Sequence, residues 1–318
     1  MTISTRRSIG TAPLRTQERG RRRRNLQIER RRSDAVTGYL MVSPALLGSL
    51  AFVLIPLGML VWYSFNDWQL LSGSVDFVGL ENYRRMFSDS HLSETLTATA
   101  VFSVGLVLGN NILALALAVF LDRRFRGRGF FRALFFSPVV VSLVAWSIVW
   151  RFLFQDDGAV NGLLAAVGAS GPNWLHEQPS AMVAVIVIQV FKNVGFNMVL
   201  FLAALQGVPG ELKEAATIDG ANAWRSFRSV VLPLISPSVL LVAILTISGS
   251  LQAFALISLV TQGGPRGSTT VLVYYLYQQA FQSKDFGYGS AIAILLFAFI
   301  LVLTVTQWVT RRRWVHYE

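Results

Sequence analysis

The sequence predicts an all-α integral membrane protein with six transmembrane helices. Hydrophobic residues make up 53% of the 318 residues and charged residues only 14%. A soluble domain is less apolar and carries about 25% charged residues. Apolar runs recur along the chain, and each is near the length of about 20 residues that crosses a bilayer. Composition and run length together favour a helical bundle in a membrane.

The six predicted spans follow in order after a basic tail at residues 1–34, within a single domain at 35–318. Five of the six have an uncharged core, and the fourth contains one charge, Lys192. We predict spans at about 39–65, 96–121, 133–154, 181–205, 235–260 and 287–310. The polar segment 207–233 lies between the fourth and fifth spans.

The distribution of cationic residues predicts the orientation of the chain. Of the 28 Lys and Arg residues, 22 fall in the tail, the segment 123–132, the loop 207–233 and the run Arg311 to Arg313. Short loops rich in Lys and Arg stay on the cytoplasmic side. Both termini are therefore expected in the cytoplasm.

The basic tail has two interpretations. Runs such as Arg21 to Arg24 resemble segments that contact nucleic-acid phosphates. A cationic run before a first span also sets topology and contacts anionic lipid headgroups, and we favour this interpretation because the tail directly precedes a span. We therefore expect membrane lipid and no nucleic acid as its partner. The apolar segment that follows is too long for a cleaved signal peptide.

The sequence lacks the residues that several classes of function require. Every Asp and Glu lies outside the predicted spans, which disfavours proton coupling, although sodium coordination by backbone carbonyls and hydroxyls stays open. Zinc-protease, serine-hydrolase and phosphate-loop motifs do not occur, and the chain has no Cys. We expect no catalytic site, no cofactor and no metal, so any ATP that powers transport is hydrolysed by a partner.

The loop 207–233 carries helix signals. Pro209, Glu211 and Glu214 are typical of a helix start, and Gly220 permits a backbone reversal. An apolar stripe that includes Trp224 and Phe227 predicts a second short helix. The small Ala residues suit insertion into a groove on another protein, whereas an amphipathic loop lying on the bilayer is an equally good interpretation of the spacing.

A resemblance to a known family changes that balance. The segment Glu-Ala-Ala-x-x-Asp-Gly-Ala, followed by Phe227 and Leu232-Pro233, resembles the cytoplasmic signature of permease subunits in binding-protein-dependent ABC importers. The resemblance implies a coupling helix that binds an ATP-hydrolysing subunit through Glu214, Ala215, Ala216, Asp219, Gly220 and Ala221.

Other segments are similar to the maltose and glycerol-3-phosphate type of carbohydrate permease. They include Ser43-Pro44, the outer segment 77–83, Thr261 to Pro265 and Phe286 to Gly289. Because this chain has a compact six-helix form, unlike the maltose permease itself, the resemblance does not imply maltose as the solute. The resemblance implies the ABC importer permease fold, a second related permease, two ATP-binding subunits and an extracytoplasmic solute-binding protein.

Polar residues within the fourth and fifth spans are candidates for a solute pathway. Amides and hydroxyls there can bond sugar hydroxyls, and an aromatic ring can stack on a sugar. The candidates are Gln189, Asn193, Phe196, Asn197, Thr246, Gly249, Ser250 and Gln252. Helix packing is the alternative for each, because small and polar residues are common where membrane helices meet.

Lys192 requires a separate explanation because a lone ammonium is costly at membrane depth. Backbone carbonyls, water or a partner subunit could satisfy it, and contact with an anionic solute is the alternative. Outside the membrane, we expect short constrained loops at 79–83 and 262–265, on the face where a binding protein would dock.

These observations predict a permease subunit of an ATP-driven importer of a sugar or sugar-like solute in a bacterial plasma membrane. An ion-coupled secondary transporter is the alternative. The sequence does not identify the solute.

Overall fold

The computed structural model describes residues 38–68, 73–123 and 125–314. The predicted basic tail at 1–34 lies outside these residues. The chain divides into two compact units, the first ending at Met59 and the second beginning at Leu60. The first contains most of helix α1 (Gly38–Ser64), whose apolar side chains are largely exposed.

Four uninterrupted helices in the described residues are long and apolar enough to cross a membrane. They are α1, α3 (Ser90–Asp122), α7 (Ser180–Gln206) and the first part of α13 (Phe286–Trp314). Each overlaps one of the predicted spans. Two bent helix pairs meet the same test, which brings the number to as many as six.

The predicted third span is not one straight helix. Helix α4 (Arg128–Val140) and helix α5 (Leu143–Leu153) meet at an angle of 103°. Pro138 lies inside α4, where it removes a helix hydrogen bond and crowds the preceding turn. Val141 and Ser142 are extended, and this pair forms the break.

The predicted fifth span also ends early. Helix α10 (Ser236–Ser250) stops before residue 251, and the short helix α11 (Phe254–Val260) follows it. Gly249, a weak helix former, directly precedes the end of α10. At its other end α10 is joined to α9 (Ala223–Leu234) with a bend of 67°.

The loops hold elements that the sequence analysis did not predict. Strands β1 (Asn66–Trp68) and β2 (Val75–Phe77) pair antiparallel. Helix α2 (Glu81–Ser88) begins inside the segment 79–83, so the prediction of a loop there was wrong. Glu81 in its first turn and Arg85 in its last turn complement the helix dipole, and this explains why a helix forms.

Three more helices complete the described chain. They are α6 (Ala159–Ala166), α8 (Gly210–Ile218) and α12 (Leu272–Tyr277), which continues as a π-helical turn at Gln278–Gln282. The segment 262–265 is a turn, as expected, with Gln262 and Gly263 at positive φ.

The buried centre of the second unit is the contact between α3 and α7. Gly105 and Gly109 on α3 leave no room for side chains, since a Cβ would lie 2.6 Å from Ile186 and 2.7 Å from Val190 on α7. This four-residue spacing of glycines allows close approach of membrane helices. The two helices therefore provide a fixed frame for the candidate sites.

Candidate functional site

The loop 207–233 forms a helix, a turn and a second helix. Helix α8 ends in a turn where the Ala221 N–H donates to Ala216 O (2.9 Å) and the Gly220 N–H to Thr217 O (3.0 Å). Gly220 has φ of 79°, the left-handed conformation that this pair of bonds requires. The Asn222 side chain then caps α9 by accepting from the Arg225 N–H at 2.8 Å. We call residues 210–226 the elbow.

The elbow presents small, acidic and apolar side chains to its surroundings. Glu214, Ala215, Asp219 and Gly220 are exposed, while Ala216 and Ala221 are half-buried. Ile218 is 86% exposed and Trp224 69% exposed, which is unusual for side chains of this size. Such a surface suits contact with another protein.

Ile218 was missing from the sequence-based candidates. It lies next to Asp219 in the stretch 213–223, whose other residues are small, polar or charged, so a large apolar side chain there was the available signal. Trp224 had been assigned to the second helix, and in the structure its ring stacks on Phe227 at 5.9 Å between centroids.

The two ends of the elbow are anchored in the core. Val208 on one side and Val231 and Ile235 on the other are buried in one apolar cluster with Leu121 and Leu205. The exposed turn therefore rests on a base packed against α3 and α7. The elbow is therefore joined to both helices through one packed apolar cluster.

Three of the predicted pathway residues face neighbouring helices. The Asn197 Nδ2 donates to Asn110 Oδ1 at 3.0 Å, and the hydroxyls of Ser250 and Ser103 lie 2.7 Å apart. Thr246 is buried as well. These contacts join α7 and α10 to α3, which is the helix-packing role left open by the sequence. Asn110 and Ser103 were not among the candidates, although Asn110 and Asn111 stand in an otherwise apolar span.

The other pathway candidates are more accessible. Phe196, Gly249 and Gln252 are exposed, and Gln189 and Asn193 are partly buried. The Gln252 amide donates to the Ser248 carbonyl of its own helix at 3.2 Å. Asn197, Thr246 and Ser250 therefore form a buried set, and Asn193, Phe196, Gly249 and Gln252 form a more accessible set. Gln189 belongs to neither, because its Oε1 is buried without a hydrogen-bond partner among the described residues.

Lys192 is satisfied by backbone carbonyls. Its Nζ donates to the carbonyl oxygens of Pro138, Val139 and Val141 at the break between α4 and α5. This confirms one of the explanations considered for a charge at membrane depth.

A polar network joins the segments next to the N-terminal ends of α3 and α13. Asp89 accepts hydrogen bonds from the hydroxyls of Tyr275 (2.6 Å) and Tyr288 (2.5 Å). Arg85 pairs with Asp285 at 2.6 Å, and its guanidinium lies 4.0 Å from the Tyr288 ring centroid. Four helices, α2, α3, α12 and α13, are connected by this network.

The pKa values within the network follow from its contacts. Burial by itself raises the pKa of Asp89, but the hydrogen bonds from Tyr275, Tyr288 and two backbone amides outweigh it and lower the pKa below its usual range. Burial, together with the hydrogen bond to Asp89, raises the pKa of Tyr275. The network is thus held with a carboxylate and a neutral phenol at neutral pH.

Two open cavities adjoin the turn at 262–265. One, of about 600 Å³, is lined in part by Glu94, Gln178 and Arg266. The other, of about 610 Å³, is lined in part by Gln262 and Gln278 and also by Arg266. Both cavities carry amides and charges, which suits contact with a polar protein surface or solute.

The arrangement of an exposed elbow on a membrane bundle is explained by the family comparison. Residues 40–315 match the family described as "Binding-protein-dependent transport system inner membrane component". The chain belongs to this family. It is therefore a multi-pass permease component of a binding-protein-dependent transport system.

Several permeases resemble the chain over nearly their whole length. The multiple sugar-binding transport system permease protein MsmF of Streptococcus mutans is 33% identical over 85% of this chain and 93% of its own. The trehalose/maltose transport system permease protein MalF of Thermococcus litoralis is 34% identical over 88% and 95%. The sn-glycerol-3-phosphate transport system permease protein UgpA of Yersinia enterocolitica is 36% identical over the same shares.

A solved permease has the same fold. A chain from the crystal structure of a bacterial ABC transporter involved in the import of the acidic polysaccharide alginate superimposes with a TM-score of 0.77. The two are 21% identical, and the match covers 90% of this permease and 99% of that chain. The ABC importer permease fold expected from the sequence is confirmed.

Proposed function

We propose that this permease forms half of the membrane pathway of an ATP-driven importer for a sugar or sugar-like solute. An extracytoplasmic binding protein delivers the solute, a second related permease completes the pathway, and two ATP-binding subunits supply the energy. Three relatives whose names specify sugars or glycerol-3-phosphate support the solute class. The chain is assigned to a bacterial plasma membrane with both termini in the cytoplasm, on the distribution of its Lys and Arg residues.

The exposed elbow is the observation that carries this proposal. The end of α8 and the turn after it carry the predicted coupling residues, which are Glu214, Ala215, Ala216, Asp219, Gly220 and Ala221. Ile218 and Trp224 supply large apolar contacts of the type that dominate binding energy at protein interfaces. An ATP-binding subunit that grips this surface moves α3 and α7 through the buried base of the elbow.

The accessible pathway residues are assigned to solute contact. Asn193, Phe196, Gly249 and Gln252 are not sealed between helices of this chain, whereas the Oε1 of Gln189 is buried without a hydrogen-bond partner among the described residues. Asn197, Thr246 and Ser250 instead maintain the wall behind them. This division gives the other predicted pathway residues specific roles in the importer.

Uptake by proteoliposomes tests the proposal against an ion-coupled transporter. The complex is reconstituted with its binding protein outside and ATP inside, and uptake of a labelled sugar is followed. We expect uptake to require both and to survive collapse of ion gradients by ionophores. Uptake that continues without ATP or binding protein and stops with the ionophores would instead identify a secondary transporter.

A further inference from the structure

The contacts of Lys192 extend beyond the satisfaction of a single charge. Lys192 is the one charged residue in helix α7, and it stands near the middle of that helix. The carbonyls of Pro138 and Val139 belong to the last turn of α4, and the carbonyl of Val141 lies in the break itself. All three acceptors therefore lie where the backbone of the third span is interrupted.

A helix break at membrane depth leaves carbonyl groups that need donors from elsewhere. The last four carbonyls of an α-helix have no partner within the helix. In hydrocarbon no water is present to replace the missing donors. The donor for this break comes from a different helix, in the form of the Lys192 ammonium.

Neighbouring positions on α7 hold both limbs of the bend. Gly195 packs directly on α4, since a Cβ there would overlap the Phe135 carbonyl oxygen. On the other limb, the Trp146 indole N–H of α5 donates to the Ile188 carbonyl of α7 at 3.1 Å. Lys192 lies between these two contacts along α7, and its Nζ is 5.9 Å from the Trp146 ring centroid.

The ammonium has no donor left for a solute. An ammonium group carries three N–H donors, and three carbonyls accept from Lys192. Among the described residues it forms no ion pair with a carboxylate. This arrangement argues against the alternative that Lys192 binds an anionic solute.

We propose that Lys192 is a positioning residue that caps the broken third span from the neighbouring helix and fixes the angle between α4 and α5. The adjoining residues Asn193 and Phe196 belong to the accessible pathway set, so a fixed break also fixes the surroundings of these residues. This consequence for transport rests on the proposed function, whereas the capping role does not.

The angle itself can be measured because the chain has no native Cys. Spin labels on Leu134→Cys in α4 and Val149→Cys in α5, both exposed, report the distance across the break. The complex is studied in lipid nanodiscs without solute. We expect one narrow distance distribution with Lys192 and a broad or shifted one with Lys192→Met, which keeps the length of the side chain and removes its donors. Val183→Met, at an exposed site on the same helix, is the matched control and should leave the distribution narrow.

Transport kinetics distinguish positioning from solute contact. We expect Lys192→Met to lower the maximal uptake rate about tenfold with little change in the solute concentration at half-saturation. A Met variant with an unchanged narrow distribution overturns the proposal, whatever its uptake. If Lys192→Met does not assemble, Lys192→Gln takes its place, because Gln retains two N–H donors without the charge. We then expect a distance distribution of intermediate width. A distribution as narrow as that of the wild type would contradict the proposal. Failure of the sugar-importer assignment leaves the distance result unaffected.

Discussion

Gly220 has a role that depends on its backbone conformation and not on the space around it. Its φ is 79°, yet a Cβ at this position would meet no atom within 4 Å. A residue with a Cβ pays about 1–2 kcal/mol in the left-handed region. The glycine in the signature is thus explained by the turn that reverses the chain between α8 and α9.

Gly220→Ala is therefore expected to weaken coupling without a steric clash. A cost of about 1–2 kcal/mol should make the intact elbow about 5- to 30-fold less populated relative to competing conformations. Binding of purified ATP-binding subunits to the permease in nanodiscs measures this loss.

Gly210→Ala is the matched control. Gly210 lies at the start of α8 without a positive φ, and a Cβ there also meets nothing within 4 Å. It should bind as the wild type does. Equal binding by the two variants would show that the left-handed turn is not needed.

Asp89 gives a second prediction at this scale. Its lowered pKa means that the folded protein favours the carboxylate more than the unfolded chain does. The stabilisation is present above the unfolded pKa of about 4 and is lost as pH falls through the lower folded pKa. Acidification below about pH 4 should therefore weaken the network.

Asp89→Asn should lower the melting temperature of the complex at pH 7. The free energy of unfolding should fall by only about 1 kcal/mol, because the carboxylate is partly solvated. The difference from wild type should shrink at pH values below about 4. Asp157→Asn, at an exposed position outside the network, is the control. A difference that stays constant across this pH range would rule out the carboxylate as its cause.

At the scale of elements, α4 and α7 pack tightly at Gly195. The Phe135 carbonyl occupies the position that a Cβ would need, and backbone atoms cannot move aside as a side chain can. The helix pair must separate to admit even one methyl group.

Gly195→Ala is expected to destabilise the bundle by about 1–3 kcal/mol, the usual cost of overpacking. Thermal unfolding in nanodiscs measures the effect. Gly162→Ala in α6, where a Cβ meets nothing within 4 Å, should not lower the melting temperature, because Ala is the better helix former. If Gly195→Ala behaved like this control, the two helices would not be in contact as described.

Elements defined by local signals could be predicted from the sequence. The runs that became α1, α3, α7 and α13 are long and apolar, and the elbow carries a helix start and a glycine at its turn. Both breaks were missed, although Pro138 and Gly249 are local signals for them. The break after α4 also depends on a donor from another helix. Lys192 caps the break after α4 although it lies 50 residues or more away along the chain, and the local hydrophobic periodicity does not reveal that contact.

The site could be predicted only in part for the same reason. The elbow residues form one continuous segment, so their grouping is visible in the sequence. The pathway residues were chosen by helical spacing, which does not tell which face meets another helix. Asn197 and Ser250 turn out to bond Asn110 and Ser103, residues more than 80 positions away.

At the scale of the whole molecule, the proposed function makes the elbow the contact surface for an ATP-binding subunit. The base of the elbow is buried with residues of α3 and α7, and α7 carries both Lys192 and the accessible pathway residues of the fourth span. In the proposed function, movement of the elbow therefore reaches the pathway through α7. This connection between the energy source and the pathway is the central claim.

Cross-linking from the elbow tests that claim most directly. Glu214→Cys introduces a unique thiol into a chain without Cys, and Asp157→Cys provides an exposed control on the opposite side of the membrane according to the predicted orientation. A photoactivatable cross-linker is attached in intact membranes that contain the complete transporter. The account predicts that the Glu214→Cys variant captures an ATP-binding subunit and that the Asp157→Cys variant does not. Absence of that subunit from the products of the Glu214→Cys variant, in membranes that still import solute, would contradict it.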